Sequence, residues 1–224
     1  MTAVIIGATG GIGAALADAI EAGGLHANVI RLGRSSAPPL DLLSEQSIAA
    51  TAEACGTGLT LVIDATGFLH GDGFMPERSW KQLDPAHMAH AFAVNATGPA
   101  LLMKHFLPCL SRDRRAVFAT LSARVGSIED NHLGGWYAYR ASKAALNQLM
   151  RTAAIELRRQ SRQSICVSVH PGTVATDLSA PFAKAGLELQ DSTLAASRIL
   201  AVLDGLMPEQ NGGFFDHHGV PIPF

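Results

Sequence analysis

Short runs of β-branched and apolar residues alternate along this chain with longer stretches in which apolar residues return every three or four positions. Ala3–Gly7, Asn28–Leu32, Leu59–Asp64, Arg115–Leu121 and Ile165–His170 have the composition and length of buried strands. Gly11–Ala22, Ser44–Ala54, Ala86–Leu110, Tyr137–Arg159 and Ser192–Leu206 carry helical spacing. Pro39–Leu42 and Gly213–Asp216 are candidates for two further short strands. This alternation predicts an α/β fold: a doubly wound parallel sheet of about seven strands, with helices on both faces. Two long connections, Thr66–Arg78 and Gly172–Gln190, fall at the ends of strands, where open α/β sheets hold their ligands.

Composition narrows the picture. At 224 residues, 48% hydrophobic and 16% charged, the chain suits one domain with a sizeable core over residues 1–224. A net charge of −2 provides no basic patch for nucleic acid or an anionic membrane. Cys55, Cys109 and Cys166 are widely spaced and form no CxxC pair, so they read as small buried groups in a reducing compartment. The N-terminus lacks the basic segment and unbroken apolar run of a signal peptide. No stretch reaches the ~18 uninterrupted apolar residues of a membrane helix. A cytoplasmic protein without nucleic-acid or membrane partners is expected.

The first strand runs into Gly7-Ala-Thr-Gly-Gly11-Ile-Gly13 and a helix follows at once. Glycines there permit a tight turn and a close backbone approach to a pyrophosphate, whose charge suits the free N–H groups of the helix start. Gly7, Thr9, Gly10, Gly11, Ile12 and Gly13 are therefore candidate cofactor contacts. An NAD site usually carries an acid after its second strand, yet no Asp or Glu occurs between Glu21 and Asp41. Arg34 and Ser35 stand there instead. A guanidinium fork and a hydroxyl suit a 2′-phosphate, so NADP(H) is expected over NAD(H).

Tyr139 and Lys143 are four residues apart, which places them on one face of the Tyr137–Arg159 helix. A cation ~4 Å from a phenol is worth about 4 kcal/mol at an effective dielectric of ~20, so Lys143 is expected to lower Tyr139 from its ordinary pKa of ~10. That would make Tyr139 a general acid/base. Tyr137, the chain's other tyrosine, has Ala141 at the same offset. Ser122 ends the Arg115–Leu121 strand and offers a hydroxyl to a substrate carbonyl, with Ser127 as a weaker candidate. Nine histidines raise the question of a metal, but none is joined by other ligand types at a metal-binding spacing.

The GxxxGxG turn, followed by Tyr139-Arg-Ala-Ser-Lys143, resembles the short-chain dehydrogenase/reductase family over essentially the whole chain. The resemblance implies a Rossmann-like fold. It also implies that Asp41 and Leu42 border the adenine, and that Asp64-Ala65-Thr66-Gly67 passes the ribose where the family usually has Asn-Asn-Ala-Gly. Pro171-Gly172-Thr-Val174-Ala-Thr176 matches the stretch in which the Val174 backbone would hold the nicotinamide carboxamide and Thr176 would reach the phosphates. Asn95 matches the asparagine that supports a water-bridged proton relay to the lysine. Gly126-Ser-Ile128, Gly134-Gly135 and Gly213-Phe-Phe-Asp216 resemble the small carbonyl reductases of the sniffer-like and C-factor-like branch.

The expected function is NADP(H)-dependent hydride transfer to a small apolar ketone or aldehyde, or from a secondary alcohol, with Phe68, Trp136 and Phe182 bordering the site. The alternatives are an NADP-binding regulatory protein with little turnover and a nucleotide-sugar epimerase. The epimerase is disfavoured because the chain lacks the additional C-terminal region such enzymes usually carry. A homodimer or homotetramer paired through Ala86–Leu110 and Tyr137–Arg159 is also expected by resemblance.

Overall fold

The computed structural model describes residues 1–71, 73–176, 178–182 and 189–224. Part of the Gly172–Gln190 connection therefore lies outside the described residues. The chain runs β1 (Thr2–Ile6), α1 (Gly11–Gly23), β2 (Asn28–Leu32), α2 (Glu45–Cys55), β3 (Leu61–Asp64), α3 (Pro85–Phe92), α4 (Gly98–Phe106), β4 (Ala116–Leu121), α5 (Tyr137–Gln160), β5 (Ser164–His170), α6 (Ser192–Gly205) and β6 (Phe214–Asp216).

All six strands are parallel, in the order β2-β1-β3-β4-β5-β6. From β1 the chain steps to β2 on one side and then returns past β1 to β3. Strand order thus reverses between β1 and β3, the place where such sheets open a ligand crevice. Alternate strand residues feed two cores. Ile5, Ile63, Val117 and Val167 pack under α1 and α6 with Leu16, Ile20, Ile199 and Leu203. Val4, Ile6, Val62 and Phe118 pack under α2, α4 and α5 with Ile48, Leu102, Phe106, Leu146 and Met150. Burial on both faces explains why these strands read as continuous apolar runs.

Two expectations are corrected. Pro39–Leu42 is not a strand, so the sheet has six strands among the described residues instead of about seven. The backbone of that segment is used locally. The Leu40 N–H donates to Gly33 O at 2.9 Å, the Asp41 N–H donates to Ser47 Oγ at 2.9 Å, and Ser47 Oγ donates to Pro39 O at 2.7 Å. Nor is Ala86–Leu110 one helix. A π-helical turn at Ala93–Thr97 separates α3 from α4, and the Gly98 N–H reaches back five residues to Ala93 O. Pro99 has no N–H, and its ring would press on the Asn95 carbonyl in a regular helix; the wider turn relieves that contact.

Candidate active site

The glycine turn lies at the carboxyl end of β1. The Gly7 and Ala8 N–H groups donate to Leu32 O at 2.9 and 3.1 Å, which ties the turn to the tip of β2. Gly7 has φ +81°, and a Cβ on Gly13 would lie 2.2 Å from Gly7 O, so only glycine lets α1 close onto the turn. At Gly10 no side chain caps α1, and no acid occupies its first turn. A Cβ on Gly11 would stand 3.0 Å from Thr176 Cγ2 and 3.1 Å from Ser192 Oγ. Thr9, Gly10, Gly11, Ile12 and Thr176 therefore surround one uncapped helix N-terminus, which fits the pyrophosphate of a dinucleotide.

Arg34 and Ser35 follow β2 as exposed residues, two and three positions beyond the Leu32 carbonyl that holds the turn. A Cβ on Gly33 would lie 3.4 Å from Thr9 Oγ1, so the Arg34 loop and the glycine turn are neighbours. Asp41 is exposed, and one of its oxygens accepts the Leu43 N–H at 2.9 Å in a local turn. Leu42 packs against Gly98 and the margin of the α2–α4–α5 core.

The pair expected at the centre of catalysis opens α5. Lys143 is buried, and its Nζ donates to Leu121 O at 2.8 Å. Burial pulls its ammonium down to about 8, against the attraction of Asp64. Burial also pushes the Tyr139 phenol up to about 12. The expected lowering of Tyr139 by Lys143 is therefore reversed in this structure. A phenolate is poorly solvated at this position, and the lysine's charge is shared with Leu121 O and Asp64. A Cβ on Gly67 would come 3.6 Å from Lys143 Nζ and 3.8 Å from Asn95 Oδ1, so its absence keeps the backbone open beside the lysine.

Asp64, the last residue of β3, is fully buried, and desolvation holds its carboxyl above the usual range. It accepts from the Thr66 N–H at 3.0 Å, from Thr66 Oγ1 at 2.5 Å and from Thr120 Oγ1 at 2.8 Å. These bonds shape the Ala65–Gly67 turn against Gly7, whose Cβ position lies 3.1 Å from the Ala65 carbonyl. Asn95, within the π-helical turn, clamps Phe68. Its Oδ1 accepts the Phe68 N–H at 2.7 Å, and its Nδ2 donates to Phe68 O at 2.8 Å and to Ser142 Oγ at 3.0 Å.

Ser122 directly follows β4. It is 3% exposed, and its hydroxyl donates to Asn147 Oδ1 at 2.7 Å, within the contact between β4 and α5. Ser127 is 1% exposed, and its Oγ accepts the Asp130 N–H at 3.1 Å. Pro171 and Gly172 follow β5. The Pro171 carbonyl accepts from Gln190 Nε2 at 2.6 Å, and buried Val174 pairs with Gln190 in an isolated bridge. Beside Tyr139, Trp136 lies edge-on at 6.2 Å, and Phe182 meets Trp136 at 5.1 Å. Phe68 instead joins a small cluster with Ala91 and Ala138. Among the described residues no group of three or more His, Cys, Asp or Glu is arranged to hold a metal ion.

A family model described as enoyl-(acyl carrier protein) reductase matches residues 7–200. The match spans the glycine turn, Tyr139, Lys143 and the Pro171–Thr176 loop. The chain belongs to the short-chain dehydrogenase/reductase family. It is 40% identical to the C-signal protein of Myxococcus xanthus over 142 residues, 63% of this chain and 81% of that one. It is 30% identical to a 1-hydroxy-2-glutathionyl-2-methyl-3-butene dehydrogenase of Rhodococcus sp. over 189 residues, 84% of this chain and 80% of that one. Against an uncharacterized oxidoreductase of Schizosaccharomyces pombe the match spans 60% of the relative's length. Among solved structures, the carbonyl reductase Sniffer of D. melanogaster matches with a TM-score of 0.82 at 23% identity, covering 100% of this chain and 99% of that one. The NADPH-bound carbonyl reductase from chicken fatty liver gives 0.81 at 23% identity, covering 100% and 98%. This short-chain dehydrogenase/reductase is thus an NAD(P)-dependent oxidoreductase, and no helix among the described residues is long and apolar enough to cross a membrane.

Ser142 and Asn147 escaped the sequence reading, as did the bonding role of Asp64. Ser142 and Asn147 are polar residues of α5 that look like solvated surface until the helix is laid on the sheet. The available signal was spacing: Ser142 lies three residues after Tyr139 and Asn147 four after Lys143, which puts each on the face of its neighbour.

Proposed function

We propose that this chain reduces a small, largely apolar ketone or aldehyde with NADPH, the reverse reaction oxidising a secondary alcohol. The observation that carries the reading is the spacing of Tyr139 and Lys143 one helical turn apart on α5, with Lys143 Nζ beside the Gly67 backbone at the carboxyl end of the sheet. When bound, the nicotinamide supplies the hydride that adds to the carbonyl carbon. Tyr139 gives its proton to the oxygen that gains charge. Burial keeps the phenol protonated at neutral pH, so Tyr139 enters a reduction carrying the proton that it gives. Lys143, beside the Gly67 backbone, would hold the nicotinamide ribose, and Asn95 fixes the loop that forms this opening. The Val174 backbone would take the carboxamide. Ser122 stays outside this assignment while Asn147 holds its hydroxyl.

NADP(H) is preferred in this reading because Arg34 is exposed beside the turn and Ser35 adjoins it. The solved relatives named above include one with NADPH bound, which agrees with this choice. Trp136 and Phe182 give the substrate side an aromatic wall, which supports an apolar carbonyl. The test is a panel of aliphatic and aromatic ketones and aldehydes followed by NADPH absorbance. Turnover of at least one supports the proposal. NADPH binding without turnover of any would favour an NADP-binding regulatory protein. A homodimer or homotetramer belongs to the same proposal, and light scattering should give two or four times the 23.5 kDa chain mass.

A further inference from the structure

We propose that Glu77 is a positioning residue for Tyr139, acting through the start of α5. This rests on the assignment of Tyr139 as the proton donor. The start of α5 is unusual. Its N-cap, Trp136, has the left-handed φ of +53° and offers no side-chain hydrogen bond to the helix. A bulky residue in that conformation persists only when its surroundings impose it. The uncapped first turn also leaves N–H groups that need acceptors.

Glu77 meets both needs from the loop before α3. Its backbone carbonyl accepts the Trp136 N–H at 2.5 Å, and both carboxylate oxygens accept the Ala138 N–H, at 3.3 and 3.2 Å. The residue is 2% exposed. Its carboxylate thus serves as an N-cap supplied from 61 positions earlier in the chain. Glu77 is itself held. His87 Nδ1 lies 3.3 Å from Glu77 Oε1, and the His87 ring stacks on Phe74 at 4.9 Å. The His87 backbone N–H is fixed by Asp84 at 2.7 Å.

Tyr139 follows Ala138 directly, and Trp136 forms the wall beside it. The carboxylate therefore fixes the amide that immediately precedes the proton donor, while the Glu77 main-chain carbonyl holds the aromatic neighbour. A buried acid whose oxygens all point at the first turn of the catalytic helix has a clear use in orientation: reacting groups displaced by about 1 Å can lose a hundredfold in rate.

The test compares Glu77→Ala with Glu77→Gln. Each variant is checked for folding by circular dichroism and thermal melting. Gln keeps an oxygen for the Ala138 N–H and an amide for His87, so it should retain kcat within about threefold, whereas Ala should lose at least about tenfold in kcat. NADPH affinity should stay within about threefold in both, because the phosphate turn lies elsewhere in the chain. Amide exchange is read alongside. In Glu77→Ala the Ala138 N–H, which loses its side-chain acceptor, should lose protection, while Trp136, bonded to the main-chain carbonyl, and the later turns of α5 keep theirs. Unchanged exchange at the Ala138 amide, or a folded Ala variant with normal kcat, overturns the proposal. So does a Gln variant that falls as far as Ala. If the wild type turns over no carbonyl, the proposed reaction fails, and the exchange measurement still decides whether Glu77 fixes the helix.

Discussion

At the carboxyl end of β1, seven consecutive residues from Gly7 to Gly13 build a glycine turn whose contacts are with each other, with Leu32 and Ala65, and at Gly11 with Thr176 and Ser192. At the start of α5, the surroundings of Tyr139 and Lys143 come from Gly67, Glu77, Asn95 and Leu121, tens of residues away. The first region needs little more than glycine at fixed offsets. The second exists only after β3, β4, the α3–α4 connection and α5 have come together. Binding of the nucleotide and the chemistry on the substrate should therefore separate under mutation.

The widest separation should come from Tyr139→Phe. The ring and its packing remain while the proton donor is lost, so turnover should fall by ~10²–10⁴. NADPH affinity should hold within about threefold, since the phosphate turn is untouched. Steady-state rates with a titration of NADPH check both halves. Near-normal turnover in a folded variant would show that the α5 region is not where the proton comes from.

Lys143 sharpens the comparison through pH. Its folded-state value of about 8 lies below the 10.5 of an unburied lysine. The unfolded chain therefore keeps this proton after the folded chain has released it, and stability rises with pH from about 8 toward 10.5. Below pH 8 both states are protonated, and the cost of the buried charge is felt in full. Relative to Lys143→Met, the wild type should gain about 2 kcal/mol between pH 7.5 and 9.5. Denaturant unfolding of both proteins at the two pH values measures it. An equal difference at both would mean that the lysine is not desolvated as the fold implies.

Arg34→Ala probes the other region. A charged hydrogen bond to a 2′-phosphate is worth ~1.5–3 kcal/mol, so NADPH should bind roughly ten- to a hundredfold more weakly. NADH, which has no such group, should be unaffected. Equal loss for the two cofactors would remove Arg34 from the specificity assignment.

The smallest expected effect is that of Ser122→Ala. Because the hydroxyl is bonded to Asn147, its removal should cost about 1 kcal/mol of stability and leave kcat within about threefold. A hundredfold loss of kcat without loss of stability would return Ser122 to the substrate carbonyl and Asn147 to a resting partner.

The sequence by itself determined the parallel α/β fold, both helical layers, the glycine turn after β1 and the Tyr139–Lys143 spacing. Those features follow from periodicity and from contacts within a few residues. Only the tertiary structure decided that Pro39–Leu42 spends its hydrogen bonds locally, and that Pro99 forces a π-helical turn which aims Asn95 at Phe68. The same is true of the inward-facing Ser122 and of Glu77 as the cap of α5. Burial likewise acts on the proton affinity of Tyr139 against the direction expected from its spacing to Lys143, because desolvation is a property of everything packed around a group and has no local signature.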